Sequence, residues 1–306
     1  MSFSVPLFPY DRWPDVDAIA EVARHAEELG FEALTFPDHV IMPVRPDAPT
    51  VSTRWYDNAV LTAYLAARTE RIRFFYNALV FPYRPAIQLA KQLATADVVS
   101  GGRLTVGVAS GWLRGEFRTL GVPFRERGAI TDEYLQALKR LWTEDSPEFQ
   151  GRYVNFRDIA FEPRCVQKPH VPLWIAGQGS VPLRRVIEYG DGWTPMVGSL
   201  EELERSGNWI REELVERGRD PDSVTFAFGL NFGEPDPIRE QASSHASQGR
   251  ARRVRPQREA GPIVERLEAY RAIGFSHISV SFGWETVADY RREMEFFAAQ
   301  VMPALA

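Results

Sequence analysis

One phrase occurs twice, near the two ends of the chain: an amphipathic run, a glycine, then a Phe-led apolar stretch. The first copy spans "DVDAIAEVARHAEELG" (15–30) and "FEALTF", with apolar residues at 19, 22, 23, 26 and 29. The second spans "IVERLEAYRAIG" (263–274) and "FSHISVSF", with apolar residues at 263, 267, 270 and 273. That spacing is helical, and the glycine ends the helix just before an extended run. In α/β proteins this is how a helix passes the chain to the next parallel strand.

More such units lie between the two copies. Apolar runs predict eight strands, near 3–8, 31–36, 72–80, 103–109, 172–176, 192–196, 223–230 and 276–281. Helical patterns separate them, among them 58–69, 85–102, 129–142, 182–190 and 200–218. An open doubly wound sheet fits this alternation, but eight units in one chain favour closure into a (β/α)8 TIM barrel. Strands covered on both faces read as continuous apolar runs, as these do. The 306 residues suit one such domain, spanning 1–306.

Two stretches break the alternation. Residues 146–172 read as a hairpin insertion after the fourth helix, followed by an extended Pro-rich run. Residues 231–261 are polar and Arg-rich, and follow the seventh strand; they read as a mobile loop closing over a ligand. The arginines at 250, 252, 253, 255 and 258 could meet an anion, although a solvated basic loop explains them as well.

Bulk properties narrow the function. A net charge of −5 offers no general basic face for nucleic acid, and no run is apolar for long enough to span a membrane. The N-terminus "MSFSVPLFPY" lacks the form of a signal peptide, so a cytoplasmic location is expected. The one cysteine, Cys165, sits among prolines and reads as a buried or loop thiol. The histidines at 25, 39, 170, 245 and 277 do not have metal-ligand spacing, so no metal is expected.

A TIM barrel carries its active site at the C-terminal ends of its strands. Those ends are rich in aromatics here: Phe8, Tyr10, Phe81, Tyr83, Trp112, Phe282 and Trp284. A flat, partly apolar ligand would suit them, and so would simple capping of the core. Asp38, His39 and Glu116 are the acid–base candidates; Glu116 reads as a helix-face residue and no more. No GxSxG elbow is present, which points to chemistry carried by a bound cofactor. In "AGQGSVPLRR" (176–185), Gly177 and Gly179 could leave backbone N–H groups pointing inward, with Ser180 capping the next helix. A phosphate cradle and an ordinary strand-to-helix turn explain that stretch equally well. "ASGW" (109–112) could form a second wall.

The segments "AEELGFEALTFPDHV", "NALVFPYRPAIQLAKQLATADVVSGGRLTVGVASGW", "RYVNF", "PLWIAGQG" and "DGW", in this order, resemble the luciferase-like monooxygenase superfamily. Within it, "SGGRLTVGVASGWLRGEFRTLGV" and "GDGW" look most like the single-chain oxidoreductases that use the deazaflavin coenzyme F420. The resemblance covers roughly residues 1–230. It implies a barrel with the deazaflavin across the strand ends and a non-prolyl cis peptide at Asn77–Ala78 behind the ring. It also implies that Asp38 contacts the ring's polar edge and His39 gives or takes a proton. Ser110, Gly111, Ala176, Gly177, Gln178, Gly179 and Ser180 would hold the cofactor. The family's sugar-phosphate dehydrogenases carry a glutamate where this chain has Trp112, so a sugar phosphate is not the expected substrate. Pairing as a homodimer through barrel helices is implied too, with Trp142 or Trp209 as interface candidates.

Hydride transfer between F420 and a small organic substrate is thus the leading expectation. An FMN-dependent monooxygenase using dioxygen is the first alternative, and a non-catalytic flavin- or deazaflavin-binding protein the second.

Overall fold

The computed structural model describes residues 1–44, 52–232 and 259–306. Its ten strands are β1 (Ser2–Pro6), β2 (Ala33–Phe36), β3 (Arg73–Val80), β4 (Leu104–Ala109), β5 (Phe149–Gln150), β6 (Asn155–Phe156), β7 (Leu173–Ala176), β8 (Gly192–Thr194), β9 (Thr225–Asn231) and β10 (His277–Ser281). Eight of them pair in parallel and close a barrel in the order β1-β10-β9-β8-β7-β4-β3-β2. The expected (β/α)8 architecture is therefore the one observed. The expected hairpin is present as well: β5 and β6 pair antiparallel, Phe149 opposite Phe156.

The helices are α1 (Val16–Glu28), α2 (Asn58–Ala66), α3 (Ala86–Val99), α4 (Arg114–Thr119), α5 (Arg127–Thr143), α6 (Ser180–Tyr189), α7 (Leu200–Glu216), α8 (Ala260–Ala272) and α9 (Val287–Gln300). Four of them start on a polar side-chain cap. Asp15 accepts the Ala18 N–H, Asp57 accepts those of Ala59 and Val60, and α7 and α9 open with capping boxes, Ser199/Glu202 and Thr286/Asp289. The repeated sequence phrase makes the same closure twice. After α1 the chain turns at Gly30 (φ 84°), and the Phe31 N–H returns to the Ala26 carbonyl. After α8 it turns at Gly274 (φ 97°), and the Phe275 N–H returns to the Tyr270 carbonyl. This is the glycine-terminated helix end in which a positive φ lets the last carbonyls be satisfied. Each phenylalanine then drops into the core.

Helix α4 was not among the helices bounded from the sequence, although Glu116, which it carries, was read as a helix-face residue. Six residues hold too little periodicity to announce a helix. Trp142, an interface candidate, is buried, and its indole N–H donates to the Ala90 carbonyl; Trp209 is 38% exposed. Cys165 is buried, and burial pushes its thiol up to about 11. Among the described residues, no helix is long and apolar enough to cross a membrane. Of the Arg-rich stretch 231–261 expected to act as a lid, residues 233–258, with the arginines at 250, 252, 253, 255 and 258, lie outside the described residues.

Candidate active site

β2 ends at Phe36, and the chain leaves the barrel through Pro37, Asp38 and His39. Asp38 and His39 lie just past the strand end and make separate anchorages. The Asp38 carboxylate meets the Arg84 guanidinium in a two-pronged pair, Nη2–Oδ1 2.8 Å and Nη1–Oδ2 2.9 Å. It also accepts the Val80 N–H at 2.9 Å. Its side chain is only 1% exposed. Both oxygens are committed to Arg84 and β3, and Asp38 fixes the loop on which its neighbour stands.

His39 has a different partner. Its Nδ1 lies 2.7 Å from Oε2 of Glu116 on α4. The other carboxylate oxygen accepts the backbone N–H groups of Val40 at 2.6 Å and Ile41 at 3.2 Å. Glu116 is fully buried, against the expectation of a helix-face residue without a role. Burial alone would raise its carboxyl, but His39, the facing Tyr83 hydroxyl and the Val40 N–H together hold it below the usual carboxylate range. Tyr83, buried and next to that charge, is pushed up and stays protonated. An acceptor-only carboxylate on Nδ1 places a hydrogen there, and Nε2 remains as the exchangeable nitrogen.

Aromatics wall this imidazole. Trp55 lies edge-to-face at 4.6 Å between centroids, Trp112 at 6.0 Å, and Phe8 stacks on Trp55 at 4.7 Å. Sequence reading placed Trp112 and Phe8 at the rim but passed over Trp55, which comes from the loop before α2.

Beside β2, its neighbour β3 carries a bulge. Its register with β4 shifts between Tyr76 and Leu79, and the Asn77–Ala78 peptide is cis. The Asn77 side chain reaches toward Thr194 at the end of β8, 3.4 Å away. Ala78 lies beneath β4: a Cβ on Gly107 would come within 3.3 Å of its methyl group. Ser110 and Gly111 follow β4, and Arg185 of α6 donates to the Ser110 hydroxyl at 2.8 Å. Gly111 has a φ of +81°.

The stretch after β7 departs from expectation in two details. The Gly177 N–H is not free, because it donates to the Thr194 carbonyl at 3.1 Å and prolongs the β7–β8 pairing. Ser180 is the first residue of α6 and not its cap; Gly179 holds the cap position with φ 89° and no side-chain cap. Gln178 turns its amide oxygen to the Met196 N–H. Ala176 ends β7, opposite Thr194. β4 and β7 are neighbours, so Ser110, Gly111 and the 176–180 stretch form one continuous edge of the mouth. An uncapped helix start within it leaves first-turn N–H groups for an external acceptor, which suits an anion.

Residues 6–232 match the family described as luciferase-like monooxygenase. The chain belongs to this family. Its members are oxidoreductases and monooxygenases. The chain is 30% identical over 207 residues to an FMNH2-dependent dimethylsulfone monooxygenase of Pseudomonas putida, a match covering 67% of this chain and 55% of that protein. It thus spans little more than half the length of that curated relative. Among solved structures, the monooxygenase RslO1 from Streptomyces bottropensis superposes with a TM-score of 0.83 at 22% identity, covering 100% of both chains. The coenzyme F420-dependent tetrahydromethanopterin reductase from Methanopyrus kandleri superposes with a TM-score of 0.76 at 18% identity, covering 100% of this chain and 99% of that one. At these identities the structural matches establish the shared barrel.

Proposed function

We propose that this chain transfers a hydride between the deazaflavin F420 and a small organic substrate, with His39 moving the accompanying proton. The observation carrying this reading is the Glu116–His39 pair standing in an aromatic wall at the strand ends. The residues fit a flat cofactor with a phosphate-bearing tail. The bulge at Asn77–Ala78 backs the place for the ring. Ser110, Gly111, Ala176, Gly177, Gln178, Gly179 and Ser180 line the edge that would hold the tail, with the uncapped start of α6 toward its anion.

When bound, the deazaflavin would supply the carbon that takes or gives the hydride. The chain supplies the rest. Glu116 fixes the tautomer and orientation of His39, so Nε2 can take a proton from a substrate hydroxyl or return one to a carbonyl. Trp55, Trp112 and Phe8 exclude water and press an apolar substrate surface against the imidazole. Asp38, through Arg84, keeps the loop bearing His39 in place.

The 30% identical FMNH2-dependent relative favours a second reading, an FMN-dependent monooxygenase on the same mouth. Fluorescence-quenching titrations with F420 and with FMN separate the two. Tight F420 binding with weak FMN binding supports hydride transfer; the reverse order replaces it with the monooxygenase.

A further inference from the structure

Arg185 is a buried cation that no step above uses. It sits in the second turn of α6 and makes three kinds of contact. Its Nε donates to Asp132 Oδ1 at 2.6 Å, its Nη2 to the Gly128 carbonyl at 2.9 Å, and its Nη1 to the Ser110 hydroxyl at 2.8 Å. The first two tie the guanidinium to α5. The third reaches across to the mouth.

A guanidinium has no acceptor. When it donates to the Ser110 oxygen, the hydroxyl hydrogen must point elsewhere. Arg185 thereby converts a freely rotating hydroxyl into a committed donor. Local charge has the matching sign. Arg184 also pairs with Asp132, at 3.2 Å, so two guanidiniums share one carboxylate. Arg127 donates to the Gly111 carbonyl at 3.1 Å. Arg184 and Arg185 come from the middle of α6, and Arg127 from the start of α5.

Resting on the cofactor reading above, we propose that Arg185 is a positioning residue: acting through Ser110, it aims the serine hydroxyl at the cofactor's phosphate and so distinguishes phosphate-bearing forms from forms without the tail. A purely structural role, tying α5 to α6, would weaken both forms alike.

The test is a set of titrations of the full chain with F420 and its tail-less chromophore, and with FMN and riboflavin. Wild type should prefer the phosphate-bearing member of whichever pair it binds, with inorganic phosphate competing. Arg185→Gln should weaken that member by about ten-fold, the scale of one lost hydrogen bond to a charged group, and change the tail-less member by less than about two-fold. Ser110→Ala, which leaves the α5–α6 tie intact, should give the same loss if Arg185→Gln folds poorly. The double variant should be no worse than either single one, because both remove one bond. Equal weakening of both members, no weakening by Ser110→Ala, or additive losses would overturn the role of Arg185 while leaving the cofactor reading standing. Failure of wild type to bind any of the four would overturn both.

Discussion

His39 and Glu116 stand 77 positions apart in sequence and meet at 2.7 Å. The contact joins the exit of β2 to a helix of six residues, and the same carboxylate holds two backbone N–H groups of the loop that follows His39. One buried charge thus sets both the ring and the backbone that carries it.

Replacing Glu116 with Gln should expose that double duty. An amide can still accept from one donor, but it no longer carries the charge that favours a proton on His39 Nδ1. We expect kcat to fall about 100-fold, with cofactor affinity retained. Steady-state kinetics beside a binding titration check this; unchanged kcat would reduce Glu116 to a loop anchor.

Arg84 is the counterpart on the other side of the loop. Arg84→Met would leave the Asp38 carboxylate buried with the Val80 N–H and no cation. Breaking a buried pair in this way costs about 3–5 kcal/mol. The double variant with Asp38→Asn should recover part of the loss, since no unpaired charge remains. Chemical denaturation of the three variants measures it.

Stability should also fall in mild acid, through a residue at the far end of the barrel. His277 is buried, with ring nitrogens 2.8 Å and 2.9 Å from the hydroxyls of Ser2 and Ser4. Burial, helped by Arg73, lowers its pKa from 6.5 to about 4. Between these values the unfolded chain binds the proton and the native one does not. Stability is therefore whole above about 6.5, declines as pH drops toward 4, and loses on the order of 3 kcal/mol over that window. His277→Gln should flatten this part of the melting profile. Glu116 adds to acid lability lower down: its carboxyl is held below the usual value, so its contribution is present above the unfolded pKa and lost as pH falls through the folded one.

Gly111 permits no side chain. Its φ is +81°, and an added Cβ would lie 2.7 Å from Val80 Cγ1 and 2.8 Å from Phe117 Cε2. Gly111→Ala should cost about 1–3 kcal/mol and weaken cofactor binding, as thermal melting with and without ligand would show.

The barrel was legible in the sequence because its signals are local. Strand runs such as "RLTVGVAS" and helix ends such as Gly30 and Gly274 need only neighbours in the chain to be recognised. The cis peptide at Asn77–Ala78 came from resemblance, since nothing in "YNALV" itself announces it. The chemistry at the mouth was only half legible. Asp38 and His39 stand side by side in sequence, yet their contacts go to Arg84 and Glu116 respectively. Glu116 was named as an acid–base candidate but read as a helix-face residue, because its helix is too short to show a buried face; Leu113 and Phe117, both buried around it, were the available hint. The Gly177 N–H was expected to be free because it lies one residue past the end of β7, yet the pairing with β8 extends to it.

The most direct measurement is single-turnover hydride transfer by His39→Ala beside its cofactor affinity. We expect F420 to bind as it does to wild type while turnover falls by at least about 100-fold. Full turnover in His39→Ala, with cofactor bound, would contradict the proton-transfer role on which the proposed function rests.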